Sequence, residues 1–566
     1  MKETLRSSLS PSRHLSPRKL AFITGTLLLT STGFICRILG FFYRIFMSRT
    51  IGAEGLGIYN MVHPIFSICF AVCAGSIQTA LSQYVAANQS RAKAVFKTGL
   101  VIAMGMSFLL AWGIYSHTGF LAERMLLEPR CAPYLPVIAV SVPFAALHAC
   151  IAGYYYGMQK ARVPAFSQVA EQVIRMGAVF LIAHIWLESG REITVSLAVY
   201  GHLIGEMASA AFTMFCLGFF PPTGYRGRAA RANAGSRAGA GPRANSGSRA
   251  SAGSRANSGS RANAGSRAWR ADDRAPAFQE TLSFRAAAAP LMALALPLMG
   301  NRLILNVLGS AEAIWIPNKL MSFGLSNSEA LSIYGVLTSM ALPFILFPSA
   351  ITNSMAVLLL PTVAQAQADG NEARISSMIS MSLRYSCYMG ILCIGIFTLF
   401  GNQLGVSVFH DQDAGTFITI LSWLCPFMYM ATTMGSILNG LGKTSITFLQ
   451  NVWAMVIRLA FVLFAIPRFG IQGYLWGMLA SELALALMSF LSVKRLVPFR
   501  WDSSRMVLKP ALILLISIGM YQAFSHACTA LGQLPMFFRS AVGIVFLSIC
   551  YMGLLLLFHK GHMEQP

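Results

Sequence analysis

The stretch TGFICRILGFFYRIFMSRTIGAEGLGIYNMVHP, Thr32 to Pro64, decides how this chain is read. Its first half is apolar enough to enter a bilayer, yet Arg37 and Arg44 sit inside it. A charge at bilayer depth costs at least ~2.5 kcal/mol on insertion scales, and it usually survives by facing a helix-bundle interior or a watery cavity. Seven positions separate the two arginines, two helical turns, so they share one face. Gly33 and Gly40 repeat at the same spacing and predict the close approach of a neighbouring helix. Snorkelling to the headgroups is the competing account, strongest for Arg44 near the end of the segment.

Working outward, the whole chain is built like this stretch. It has 566 residues, of which 55% are hydrophobic and only 11% charged, with mean hydropathy +0.60. Soluble domains carry roughly 25% charged residues, so the chain is a polytopic membrane protein. Its net charge of +23 suggests nucleic acid at first sight. Placement excludes that reading. Eleven arginines against two aspartates fall between Arg226 and Arg274, so +9 of the total belongs to one segment, and much of the rest lies in short loops. The eleven cysteines lie mostly in apolar runs, with no CxxC pair and no metal-ligand spacing, and read as small buried hydrophobes.

A spanning helix needs about 20 apolar residues. Fourteen such segments occur, near 20–46, 58–87, 94–116, 133–157, 163–187, 194–220, 286–309, 330–365, 376–400, 418–440, 446–466, 471–493, 507–527 and 537–558. The eighth contains Pro343, Pro348 and Pro361 and should be kinked or partly unwound. Lysines and arginines fill alternate loops: Arg91, Lys93 and Lys97; Lys160 and Arg162; Lys443; then Lys494, Arg495, Arg500 and Arg505. The intervening loops are balanced or acidic, as with Glu123, Arg124, Glu128 and Arg130, or Asp411 and Asp413. By the positive-inside rule both termini are expected in the cytoplasm. The basic N-terminus (Lys2, Arg6, Arg13, Arg18, Lys19) precedes an apolar run too long for a signal-peptide core, so a retained first helix is expected.

Residues 223–275 break the pattern. GSRA recurs at 235, 247, 253, 259 and 265, in a segment with almost no large apolar residues. Such a composition cannot bury a core and is expected to be disordered, on the cytoplasmic side and near anionic lipid. On either side of it the chain repeats. GMQKARVPAFSQVAEQVIR (157–175) aligns with GLGKTSITFLQNVWAMVIR (440–458), and Gly201…Glu206 echoes Gly477…Glu482. Six helices recur in parallel orientation and two are appended, an arrangement known among transporters with a substrate site between the halves. The expected organisation is a basic N-terminus (1–19), an N-lobe (20–220), a linker (221–283), a C-lobe (284–493), and a final helix pair with tail (494–566).

The residues that carry the opening argument also resemble a family. RILGFFYR (37–44) with IGAEGLGIYNMVHP (51–64), and the 315–366 stretch around WIPNKLMSFGL and SIYGVLTSMALPFILFPSAITNSMAVLLLPTVAQA, are similar to the stage V sporulation protein B and polysaccharide-transporter family. That family belongs to the multidrug/oligosaccharidyl-lipid/polysaccharide (MOP) flippase superfamily. The likeness covers all but the linker and the extreme ends. It implies an all-α, fourteen-helix, two-lobed exporter of polyprenyl-linked sugars in the bacterial cytoplasmic membrane, in some members of lipid II, the peptidoglycan precursor. The first helix of the MurJ lipid II flippases carries a similar arginine followed by LGF, matched by Arg37, Leu39, Gly40 and Phe41. Their next arginine falls where this chain has Tyr43, and their second-helix arginine has no counterpart within 58–87.

No catalytic constellation or metal-ligand cluster is visible, and GKTS at 442–445 lacks the leading glycine of a phosphate loop, Ile437 standing there. No enzyme, cofactor or nucleic-acid partner is expected. His148 reads as a hydrogen-bonded packing residue, and the GxxxG of GYYYG (153–157) as a helix contact. The candidates for function are charges inside segments: Arg37, Arg44, Arg175, Arg302 beside Asn301, and Arg458. A lipid-linked sugar presents a pyrophosphate that must cross ~30 Å of hydrocarbon. Arginine stays charged and binds phosphate in a bidentate fork. Glu171, Glu206 and Glu482 either pair with these arginines or hold a coupling cation; Glu171 stands one turn before Arg175. The resemblance implies alternating access driven by a coupling ion or the membrane potential, a monomer among membrane lipids, cell-wall synthases as neighbours and a setting in spore cortex formation. A multidrug/cation antiporter of the same fold is the rival, and should instead show an acidic cavity.

Overall fold

A computed structural model describes residues 17–222, 284–528 and 532–560. The disorder expected for the linker, with its GSRA repeat, and the terminal tails lie outside the described residues. Fourteen described helices are long and apolar enough to cross a membrane. The first, Leu28–Ala87, is two passes. Gly52 interrupts it with φ 72° and ψ 178°, a conformation L side chains rarely adopt. Arg44 and Asn60, on either side of Gly52, both hydrogen-bond Thr338. Along one straight helix they would lie about 24 Å apart, so the chain folds back at Gly52 into α1 (17–51) and α2 (53–87). Conversely, Asn327–Leu346 and Ser349–Ala368 form one bent pass, α8. Phe347 and Pro348 between them keep helical dihedrals (φ −59°, ψ −49° and φ −64°, ψ −21°), which bend the chain without reversing it. Of the prolines expected to distort this segment, Pro343 closely follows a π-helical turn at Val336–Ala341 and Pro348 stands at the bend, while Pro361 lies inside the continuing helix.

The remaining passes are α3 (Ala92–Ser116), α4 (Leu135–Gly157), α5 (Arg162–Glu188), α6 (Ser196–Phe219), α7 (Phe284–Phe323), α9 (Glu372–Leu404), α10 (Gln412–Gly440), α11 (Thr444–Phe464), α12 (Ile471–Leu496), α13 (Lys509–Ala527) and α14 (Met536–Lys560). Helix α7 runs well past the 309 boundary read from sequence, through Pro317. The fold is all-α, with two six-helix lobes and an appended pair.

Packing repeats with the sequence. In the first lobe α2 packs on α4, α3 on α4, α4 on α6, α5 on α6 and α1 on α5; in the second, α8 on α10, α9 on α10, α10 on α12, α11 on α12 and α7 on α11. Matched glycines sit at matched crossings. A methyl on Gly157 would press on Val85 of α2, and one on Gly440 on Val363 of α8; Gly201 abuts Val179 of α5, and Gly477 abuts Phe461 of α11. Gly153 joins Gly157 against α2, as the GxxxG spacing predicts. Gly33 and Gly40 do not behave that way. A methyl on Gly33 would meet nothing within 4 Å, and one on Gly40 only the tip of Gln172 at 3.6 Å. Helices α13 and α14 pack on each other and on α9. Many large side chains on α5, α11, α13 and α14 face outward, among them Phe180, Leu181, Leu515 and Ile549, as a lipid-facing surface requires.

The lobes meet tightly at the end where α1 turns into α2. A methyl on Gly335 of α8 would lie 1.9 Å from the Ala53 carbonyl oxygen, and one on Gly57 only 2.2 Å from that of Leu331. These glycines bring backbone against backbone. Polar contacts lock the same end. Arg49 donates through Nε and Nη2 to the Val408 carbonyl (2.9 and 2.6 Å). Arg130 bridges Glu54 (2.6 Å) and Glu128 (2.8 Å), and Glu128 accepts from Asn327 Nδ2 of the other lobe (2.8 Å). Burial alone would push the Glu128 carboxyl up; the Arg130 and Asn327 hydrogen bonds outweigh it and hold the group below the usual carboxylate range.

Candidate functional site: a cationic cavity between the lobes

Below that seam the lobes part. Two cavities of about 600 Å³ each share Asn60, His63, Ser67 and Asn306 as common walls, so they are two arms of one central space. The first arm belongs mainly to α1, α2, α5 and α6, the second to α7, α8, α11 and α12. Four of the arginines singled out above line it: Arg44, Arg175 and Arg302 in the first arm, Arg458 in the second.

Arg37 and Asn301 do not. Both are exposed and line neither arm. The two arginines of α1 share a helical face, but only Arg44, nearer the turn, reaches the level where the second lobe closes over it. Arg44 donates to the Thr338 carbonyl at 3.4 Å, and Arg302 to Thr79 Oγ1 at 3.0 Å. Neither has a carboxylate partner among the described residues.

Arg175 and Arg458 occupy matched places yet are wired differently. Arg175 pairs with Glu171 one turn earlier on α5, and its Nε is buried without a partner. Glu206, only 8% exposed, lines the arm, and its carboxylate has no hydrogen-bond or ion-pair partner among the described residues. In the other lobe Arg458 donates from Nη2 to Glu482 (3.0 Å) and from Nε to Ser481 (3.1 Å), and its Nη1 lies 3.6 Å from Glu312. Glu312 also accepts from Tyr474 Oη at 2.6 Å. A buried charge needs such partners.

Glu312 and Tyr474 escaped the sequence reading. Glu312 lies three residues beyond the 309 boundary read from sequence, outside the segment in which charges were sought. Asn60 was missed too. Its amide donates to Thr338 Oγ1 (2.7 Å) and Ser339 Oγ (2.6 Å), tying α2 to α8 in the cavity wall. An asparagine in a helix carries no such signal in sequence. His148 packs as expected, between Ser167 (3.2 Å) and Ser209 (3.0 Å). No group of metal-ligating side chains occurs among the described residues.

Comparison with known proteins matches this architecture. The family model described as polysaccharide biosynthesis protein matches residues 22–231. Stage V sporulation protein B of Bacillus subtilis (strain 168) is 23% identical over 95% of this chain and 96% of its own length. By these likenesses the chain is similar to the stage V sporulation protein B and polysaccharide-transporter proteins. Two solved structures share the fold. The lipid II flippase MurJ in an inward closed conformation superposes with TM-score 0.65 at 11% identity, over 95% of this chain and all of that one. An inward-facing multidrug resistance MATE transporter of the MOP superfamily gives 0.58 at 12% identity, over 83% of this chain and 97% of that one. The family is one of multi-pass proteins of the bacterial cytoplasmic membrane, and its members are transporters and flippases.

Proposed function

We propose that the protein flips undecaprenyl-pyrophosphate-linked saccharides, a lipid II-like peptidoglycan precursor or a wall oligosaccharide, across the cytoplasmic membrane by alternating access. The observation that carries this reading is that Arg44 and Arg302 line the interlobe cavity with no carboxylate among the described residues to neutralise them. A guanidinium at bilayer depth without a counter-charge is costly, and a diphosphate supplies two charges in the geometry its fork prefers. The prenyl chain stays in lipid. Arg175 and Arg458, each already paired, shape the field of the cavity, while Arg37 and Asn301 take no part. The lobes (20–220 and 284–493) move about the closed seam, with both termini cytoplasmic and the 494–566 pair carried by the second lobe. The protein performs no covalent chemistry; a coupling ion or the membrane potential drives it. It acts as a monomer beside cell-wall synthases, and the 23% likeness to a sporulation protein supports a role in making the spore cortex.

Reconstitution in liposomes with fluorescent lipid II and, separately, a peptide-free undecaprenyl-linked oligosaccharide tests the proposal. Movement of either, lost in Arg302→Ala, is the expected result, and which of them moves fixes the substrate. An antiporter of organic cations is the second reading, favoured by the unpartnered Glu206. Drug efflux with neither lipid moving would replace the first reading by the second.

A further inference from the structure

Arg44 and Arg302 share a second property: each reaches out of its own lobe. Arg44 of α1 docks on Thr338 of α8, and Arg302 of α7 docks on Thr79 of α2. Both partners lie in or just beyond a π-helical turn, Val336–Ala341 in α8 and Ala71–Gly75 in α2. Such turns insert one residue and disturb the regular carbonyl ladder, frequently at functional sites. In α2 the turn puts a glycine beneath the guanidinium, since a methyl on Gly75 would lie 2.2 Å from Arg302 Nη1. In α8 the turn is pinned by Asn60, through Thr338 and Ser339.

The two dockings lie at different depths. Arg44 precedes the turn at Gly52, and Arg302 precedes the corresponding turn at Gly324. At 1.5 Å rise per residue, Arg44 lies about 12 Å and Arg302 about 33 Å from the closed end. Their partners repeat the offset, Thr338 at about 21 Å and Thr79 at about 40 Å by the same measure. Side chains on α1 and α7 both lean toward their helix N-termini, so the leaning does not close the gap. A single diphosphate is far shorter than that separation.

We infer that Arg302 and Arg44 are successive stations for the diphosphate, Arg302 receiving it at the open end and Arg44 holding it under the seam. On the same inference Thr79 and Asn60 are positioning residues that keep the two guanidinium groups aimed while no ligand is bound. The inference rests on the diphosphate reading above. The single bonds from each guanidinium to a neutral threonine oxygen are the ones to give way, because a phosphate offers the fork two parallel bonds and a full counter-charge. Capture at each station therefore removes a bond between the lobes, and the ligand loosens the contact it replaces.

The test uses the full chain in lipid nanodiscs, with undecaprenyl pyrophosphate as the binding probe, and in liposomes with its fluorescent saccharide-bearing form. Arg302→Ala should weaken binding about tenfold or more, whereas Arg44→Ala should leave binding within about threefold and slow translocation about tenfold or more. Thr79→Val, which keeps the shape and removes the acceptor, should weaken binding about threefold, and Thr79→Ser should restore it. Arg302→Gln provides the same reading should the alanine variant fail to fold. Equal loss of binding in the Arg44 and Arg302 variants would mean one clamp and overturn the two stations. Thr79→Ser behaving like Thr79→Val would overturn the positioning role. Failure of the unaltered chain to bind the probe would instead sink the diphosphate reading itself.

Discussion

The two lobes carry the same arginine and the same glutamate, Arg175 with Glu206 and Arg458 with Glu482, yet only one of them joins the pair. In the second lobe Arg458 bridges α11 to α12 through Glu482, and α7 is drawn in by Glu312 and Tyr474. In the first, Glu171 holds Arg175 along a single helix, and Glu206 is left over. One added acid in each lobe, at different places, turned a shared motif into a brace on one side and an unsatisfied carboxylate on the other. Duplication fixes where residues stand; the bonds they make are decided by neighbours outside the repeat.

If the second-lobe network is a brace, cutting it should cost most. Glu482→Ala leaves Arg458 short of its nearest counter-charge in a buried setting and should destabilise the protein by about 3–5 kcal/mol, read from the thermal midpoint in detergent or nanodisc. Glu312→Gln keeps the shape and an acceptor for Tyr474, so its cost should be about 1–3 kcal/mol. Glu171→Ala should cost about 1 kcal/mol or less, since the pair is intrahelical and Glu206 stands ready on the neighbouring helix. A loss for Glu171→Ala as large as that for Glu482→Ala would erase the distinction between the lobes.

The smallest effect concerns the seam. Glu128 is held below the usual carboxylate range, so its contribution is present above the unfolded value near 4 and is lost as pH falls through the lower folded value. Stability of the parent protein should therefore fall more steeply below about pH 4 than that of Glu128→Gln. Parallel curves would show that the carboxylate contributes nothing there.

Much of this was legible beforehand, and for identifiable reasons. Hydropathy marks passes because lipid demands continuous apolar helices, and the VIR and Gly…Glu echoes mark the repeat because glycines at helix crossings admit no substitute. The face shared by Arg37 and Arg44 was equally legible; which of them meets the cavity was not, because that depends on where a second lobe begins to cover the helix. Gly33 and Gly40 show the same gap: spacing names a face, and a partner must be there to use it. Glu312 was hidden because the apolar run was read as ending at 309, about one turn short of it, and nothing in the sequence shows that Arg458 and Tyr474 are waiting for it.

The glycine crossing of α2 and α8 has a mechanical meaning. With backbone against backbone at Gly57 and Gly335, no side chain is wedged between α2 and α8 at that crossing, and the contact works as a fulcrum at one end of a long arm. From Gly335 to Ala368 the arm of α8 is about 50 Å, so a rotation of about 10° at the fulcrum sweeps its tip through about 9 Å. A tilt that barely disturbs the seam thus moves the opposite mouth by nearly the diameter of a helix.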